Sequence, residues 1–125
     1  MFPSWHISAT EAQGHSGGLA VLWDPSWIKA NPYRCLAGNL ISATLRGYNS
    51  PINILNMYAP YKDRLVFWEK VLESNLFDVG NLLIAGDLNL TLSMDEVWGC
   101  KRKKDPIADR LKNEFLKRNF VDVYP

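Results

Sequence analysis

Apolar stretches separated by turn-forming residues divide the first half of the chain into predicted strands. The first sixteen residues are predicted to be irregular, and Leu19–Trp23 predicts a buried strand. Two short strands are expected within residues 26–38, around the Trp27-Ile28 pair and between positions 33 and 36. Leu40–Arg46 and Ile52–Tyr58 flank the turn residues Gly47–Pro51, which predicts a β-hairpin.

The second half alternates between helix and strand patterns. Residues 63–76 are predicted to form a helix with Asp63 as its N-cap, because apolar side chains recur at steps of three and four, at Leu65, Trp68, Leu72 and Leu76. Asn81–Asp87 contains a continuous apolar run, which predicts a central strand buried on both faces. Asp105 followed by Pro106 predicts the start of a second helix. That helix is predicted to bury an apolar stripe at positions 107, 108, 111 and 115, and positions 116 and 120 widen this stripe. A last strand is predicted over residues 121–124.

This order of elements predicts a mixed α/β fold in which helices cover a sheet. The 125 residues are 47% hydrophobic, which suits one domain or a piece of one. Cys35 and Cys100 lie outside any metal-binding spacing, so two reduced thiols are expected. The sequence has no bilayer-spanning apolar run and no secretory signal, which predicts a soluble, intracellular protein that is not secreted.

The net charge of +1 leaves a nucleic-acid partner undecided, because a basic surface would have to be local. The run Lys101–Lys104 could grip a DNA backbone or act as a nuclear localisation patch, but a solvated loop is favoured. Among the five tryptophans, Trp23 and Trp68 are expected in the core, and Trp98 is expected to be exposed.

The sharpest chemical signal is Gly86-Asp87-Leu88-Asn89, which ends the most apolar strand, where α/β sheets place ligand sites. If the strand geometry continues, Asp87 and Asn89 share a side, and Gly86 lets a ligand approach the backbone. A carboxylate suits Mg²⁺ or Mn²⁺, and an amide can bind a phosphate oxygen. A plain strand-ending turn explains this tetrapeptide equally simply and is favoured when it is taken alone. Tyr58 ends another strand, and taken alone it too is best explained as an ordinary strand-end aromatic.

Taken together, several phrases in order resemble the endonuclease/exonuclease/phosphatase (DNase I-like, apurinic-endonuclease-like) superfamily, and more narrowly the endonuclease domain of plant-type LINE retrotransposons. The resemblance covers nearly the whole chain from Gly14 onward. The matching phrases are Ser16–Trp23, Asn56–Tyr61, Phe67-Trp68, Gly86–Ser93, Glu96–Gly99 and Val121–Pro125.

The resemblance implies a partial four-layer α/β sandwich, a magnesium- or manganese-dependent phosphodiesterase, and DNA as partner, with no further small-molecule cofactor. It implies that Asp87 positions or activates the attacking water, with an indirect role at the metal. It implies that Asn89 holds the scissile phosphate and that Tyr58 contacts it. Thr91 lies in the following loop and is placed near the substrate by position only.

The matched phrases lack the metal-binding glutamate and the aspartate–histidine pair of this superfamily. Glu11, His6 and His15 stand in the wrong settings, and both histidines were expected in solvated loops. We therefore expect residues 1–125 to form a single incomplete domain, truncated at both ends and completed by a partner or further segments. Its function is expected to be weak or absent nuclease activity. The alternatives are a non-catalytic remnant and a nucleic-acid-binding module that retains phosphate contacts.

Overall fold

The computed structural model describes residues 4–13, 16–100 and 103–123, without the side chains of residues 13, 16 and 17. The chain divides into two compact units, Met1–Leu88 and Asn89–Pro125. Both sheets and the first helix belong to the first unit, and the second helix belongs to the second unit. The architecture is mixed α and β, which agrees with the α/β expectation at that level.

A two-stranded antiparallel sheet opens the first unit. Strand β1 spans His6–Gln13 and pairs with β2, Ser16–Trp23. The expectation that the first sixteen residues are irregular was therefore wrong for the described part, and His6 lies in a strand rather than a loop. Its ring meets the buried Trp23 edge to face, with ring centroids 5.7 Å apart.

The larger sheet has four strands, which lie side by side in the order Ile28–Cys35 (β3), Gly38–Leu45 (β4), Ile52–Tyr58 (β5) and Leu82–Asp87 (β6). The hairpin of β4 and β5 is confirmed, whereas the two short strands expected within 26–38 form one continuous strand, β3. Pro32 lies within β3, and an edge strand tolerates a proline because its outward side needs no N–H donor.

The hairpin of β1 and β2 packs on the larger sheet, with β2 against β5 and β1 against β4. A guanidinium nitrogen of Arg34 donates to the Ala9 carbonyl oxygen at 3.1 Å and ties the two sheets together. Gly38 marks another close approach, since a Cβ there would stand 2.7 Å from the Leu19 side chain. Two sheets therefore stack within this unit, and the buried Ile41 and Leu55 belong to its core.

Strand β5 and strand β6 run parallel, so a crossover must connect them. That crossover contains helix α1, Arg64–Glu73, and a 3₁₀ turn at Leu76–Asp78. The helix starts after Asp63 as predicted, but Asp63 adopts a left-handed conformation and its side chain makes no capping hydrogen bond. The predicted apolar stripe was partly wrong, because Trp68 and Val71 are buried and Leu65 is 48% exposed.

Strand β6 was predicted at the centre of a sheet, and this was wrong. Within the described residues it pairs only with β5 and forms the edge of the four-stranded sheet. Leu83 is 44% exposed and Ala85 is exposed, so one face of the apolar run remains accessible. A run of four apolar residues is compatible with an edge strand that is covered on one face as well as with a central strand.

The second unit contains a 3₁₀ turn at Met94–Glu96 and helix α2, Ala108–Lys117. The helix begins later than predicted, after a turn in which the Asp105 carboxylate accepts from the Ile107 N–H at 3.2 Å. Ala108 and Leu111 are buried as expected, but Leu116 is exposed. Residues 121–123 are not in a strand, and Tyr124 lies outside the described residues.

Several smaller expectations also have outcomes. Trp68 is buried and Trp98 is 95% exposed, as predicted. Cys35 and Cys100 are free thiols. In the basic run, Lys104 forms an exposed ion pair with Asp109 at 2.6 Å, which fits a solvated segment, while Lys101 and Arg102 lie outside the described residues. None of the described helices has the length and apolar character needed to cross a membrane.

Gly86 provides a test of the β5–β6 pairing. Its φ is +122°, and an added Cβ would stand 2.0 Å from the Met57 carbonyl oxygen. We expect Gly86→Ala to lower the free energy of unfolding by about 2 kcal/mol or more, measured by urea denaturation, because both the conformation and the contact exclude a side chain.

Gly80→Ala is the matched control, because nothing lies within 4 Å of a Cβ at that position. This variant should change stability by less than about 1 kcal/mol. Equal effects of the two substitutions would contradict the described pairing of Gly86 with Met57.

Candidate functional site

The carboxyl ends of β5 and β6 bring together two of the residues singled out in the sequence. Tyr58 is the last residue of β5, Asp87 is the last residue of β6, and the two are partners in the parallel register. The backbone continues this alignment by one step, since the Ala59 N–H donates to the Asp87 carbonyl oxygen at 2.8 Å. Asp87 is exposed and Tyr58 is half-buried, so both can be reached from solvent.

The local sequence explains why the two strands end together. Pro60 follows Ala59 and cannot donate a hydrogen bond, which stops β5. Gly86 allows β6 to come so close to β5 that the Met57 carbonyl oxygen occupies the place of its missing side chain. We predicted that Gly86 would let a ligand approach the backbone, but the Met57 carbonyl oxygen occupies that space.

Asn89 and Thr91 belong to the second unit. Strand β6 ends at Asp87, and Asn89 has a positive φ of 43°. The extended geometry does not continue to Asn89, so the condition under which it was expected to share a side with Asp87 is not met. Asn is among the residues that tolerate this left-handed conformation best.

The loop containing Thr91 is held by carboxylates of its own unit. The Thr91 N–H donates to the Asp105 carboxylate at 3.4 Å, and the Leu92 N–H donates to the Glu96 carboxylate at 2.8 Å. These contacts satisfy backbone donors that a loop would otherwise leave to water. They give Thr91 a structural setting and leave its substrate role a prediction.

The sequence analysis did not identify one buried polar residue. Asn39 of β4 is fully buried and stands opposite Asn56 of β5. Asn56 precedes Tyr58 by two residues, so the alternation of a strand places both on one face. Neither the side-chain oxygen nor the side-chain nitrogen of Asn39 has a hydrogen-bond partner among the residues that the structure describes. Asn39 lies one residue before the predicted strand Leu40–Arg46, so the apolar pattern did not assign it to a buried face.

The described part of the chain offers a metal ion few ligands. Across residues 4–13, 16–100 and 103–123, no group of three His, Cys, Asp or Glu side chains comes together. Asp87 supplies one exposed carboxylate, a hard oxygen ligand. Mg²⁺ is often bound through one or two carboxylates together with substrate phosphate and water, so this single carboxylate fits a metal that is shared with a substrate.

Comparison with known proteins adds no assignment. No protein-family model matches the chain, and no curated protein sequence matches it.

The orphaned amide of Asn39 predicts an unusual response to mutation. Asn39→Leu removes two buried polar atoms without hydrogen bonds and keeps nearly the same volume. We expect it to raise the free energy of unfolding by about 1–3 kcal/mol in urea denaturation, because burial of an unpaired amide is costly.

Asn53→Leu on β5 is the contrasting variant, because the Asn53 side chain donates to the Gly80 carbonyl oxygen at 2.7 Å. Its loss should destabilise the protein by about 1 kcal/mol. A destabilised Asn39→Leu variant would show that the Asn39 amide is hydrogen-bonded in solution.

Proposed function

We propose that this chain carries part of the phosphodiester-cleaving site of a DNase I-like, LINE-type endonuclease domain. The single observation that supports this most strongly is the pairing of Tyr58 with Asp87 at the carboxyl ends of two parallel strands. Ligand sites of α/β sheets lie at such ends. The stacked sheets of the first unit are compatible with part of a four-layer sandwich.

The two side chains suit complementary tasks in phosphodiester hydrolysis. The Asp87 carboxylate would accept a hydrogen bond from the attacking water and orient it toward phosphorus. The Tyr58 hydroxyl would donate to a non-bridging phosphate oxygen, where negative charge increases during in-line attack. A bound Mg²⁺ or Mn²⁺ would lower the pKa of water and neutralise phosphate charge. Asp87 is the residue that would hold it, directly or through water.

The roles of Asn89 and Thr91 in this proposal rest on the sequence resemblance alone. The Asn89 amide would donate to the scissile phosphate and its carbonyl oxygen would accept. Turnover by this chain is proposed to be weak, because the matched phrases lack the metal-binding glutamate and the histidine that the resemblance calls for. Loss of one member of a concerted site already costs orders of magnitude in rate.

Nicking of supercoiled plasmid tests the proposal. We expect slow conversion to the open circle in Mg²⁺, none with EDTA, and a fall to background in Asp87→Ala. Asn89→Ala should also fall to background, and Tyr58→Phe should slow nicking by about tenfold through the lost phosphate contact.

Asp78→Asn controls for the loss of an exposed carboxylate. Asp78 lies before the start of β6, and β6 alone spans about 17 Å from Leu82 to Asp87 at the rise of an extended strand. This variant should nick like the native chain. Absence of nicking from folded native protein would contradict catalysis and leave a non-catalytic remnant or a nucleic-acid-binding module.

A further inference from the structure

An aromatic and basic surface lies on the larger sheet, away from Asp87. Along β3 the side chains of Lys29, Asn31 and Tyr33 are exposed, and they share one face because they alternate with residues 30 and 32. Trp27 lies in the turn that precedes β3, and its backbone N–H donates to the Asp24 carbonyl oxygen at 3.1 Å. Trp27 is 62% exposed and Tyr33 is 59% exposed, which is unusual for large aromatic side chains.

Arg46 extends this surface onto the neighbouring strand. The backbone N–H of Arg46 donates to the Trp27 carbonyl oxygen at 2.7 Å, which adds one backbone hydrogen bond beyond the last paired residues of β3 and β4, Ile28 and Leu45. The Arg46 guanidinium lies over the Trp27 ring, 5.7 Å from its centroid. The ring is held by a cation on one face, while much of its area remains accessible. We call Trp27, Lys29, Tyr33 and Arg46 the β3 surface.

The strands that form the β3 surface carry basic side chains and no acidic ones. Between Asp24 and Asp63 the sequence contains no Asp or Glu, although it covers β3, β4 and β5 with their turns. The nearest carboxylate along the chain is that of Asp24, which accepts hydrogen bonds from the N–H and the hydroxyl of Ser26. The total charge of the chain is only +1, but the charged side chains of residues 25–62 are all basic.

We propose that the β3 surface binds single-stranded nucleic acid. Exposed aromatic rings stack on unpaired bases, and Lys and Arg between them neutralise phosphates. Trp27 and Tyr33 stand six positions apart, about 20 Å in an extended strand, which accommodates several nucleotides. Base pairs in a duplex are already stacked, so the rings favour an unpaired strand. Binding here does not depend on catalysis at Asp87.

Fluorescence anisotropy with a labelled oligothymidylate of about twelve nucleotides tests this, in EDTA so that cleavage cannot interfere. We expect the native chain to bind it at least about tenfold more tightly than a duplex of equal length. Trp27→Leu and Tyr33→Leu should each weaken binding by about tenfold. Arg46→Gln should reduce the slope of log affinity against log salt by about 0.7.

Two matched variants separate this proposal from the nuclease proposal. Trp98→Leu removes a more exposed tryptophan from the second unit and should change affinity by less than about twofold. Asp87→Ala should bind the single strand like the native chain even though it cannot nick. Circular dichroism spectra verify that every variant is folded. Equal affinity for duplex and single strand, or native affinity in both Trp27→Leu and Tyr33→Leu, would overturn the proposal.

Discussion

The close parallel pairing of β5 with β6 is the constraint on which the candidate site depends. Gly86 makes it possible, because the Met57 carbonyl oxygen lies only 2.0 Å from where a Cβ would stand. The pairing fixes the register that ends with Tyr58 beside Asp87. It also requires the crossover through α1, since parallel strands cannot be joined by a tight turn. One small residue thus links the topology of the sheet to the placement of its chemistry.

The same sheet divides its surface between two kinds of chemistry. A carboxylate and a phenol stand where β5 and β6 end, whereas aromatic and basic side chains spread over β3 and the end of β4. The segment from residue 25 to residue 62 contains no Asp or Glu, and it contributes every strand of the larger sheet except β6. A phosphate-containing ligand suits both surfaces. The Asp87 carboxylate adds negative charge at the end of the edge strand β6, where a metal ion could balance it.

The sequence predicted individual strands and helices better than it predicted which strands pair with one another. The β4–β5 hairpin and the burial of Trp68 followed from turn residues and local apolar pattern. Strand β1 was missed because its alternation is weak and its stability comes from pairing with β2. The edge position of β6 was missed because a short apolar run does not encode how many strands flank it. The sequence singled out Tyr58 and Asp87, and the structure places them side by side, while their roles stay a prediction. The positive φ at Asn89 shows that the strand alternation does not extend to it, and buried Asn39 carried no local signal.

The central claim is that the ends of β5 and β6 form one site for a metal ion and phosphate. Titration of ¹⁵N-labelled protein with Mn²⁺ tests it most directly, because the ion broadens amide signals close to where it binds. The account predicts that the amides of Tyr58, Ala59 and Asp87 broaden first, and that Asp87→Asn abolishes this effect. Broadening that begins elsewhere, for example at Asp95 and Glu96, and that survives Asp87→Asn would contradict it.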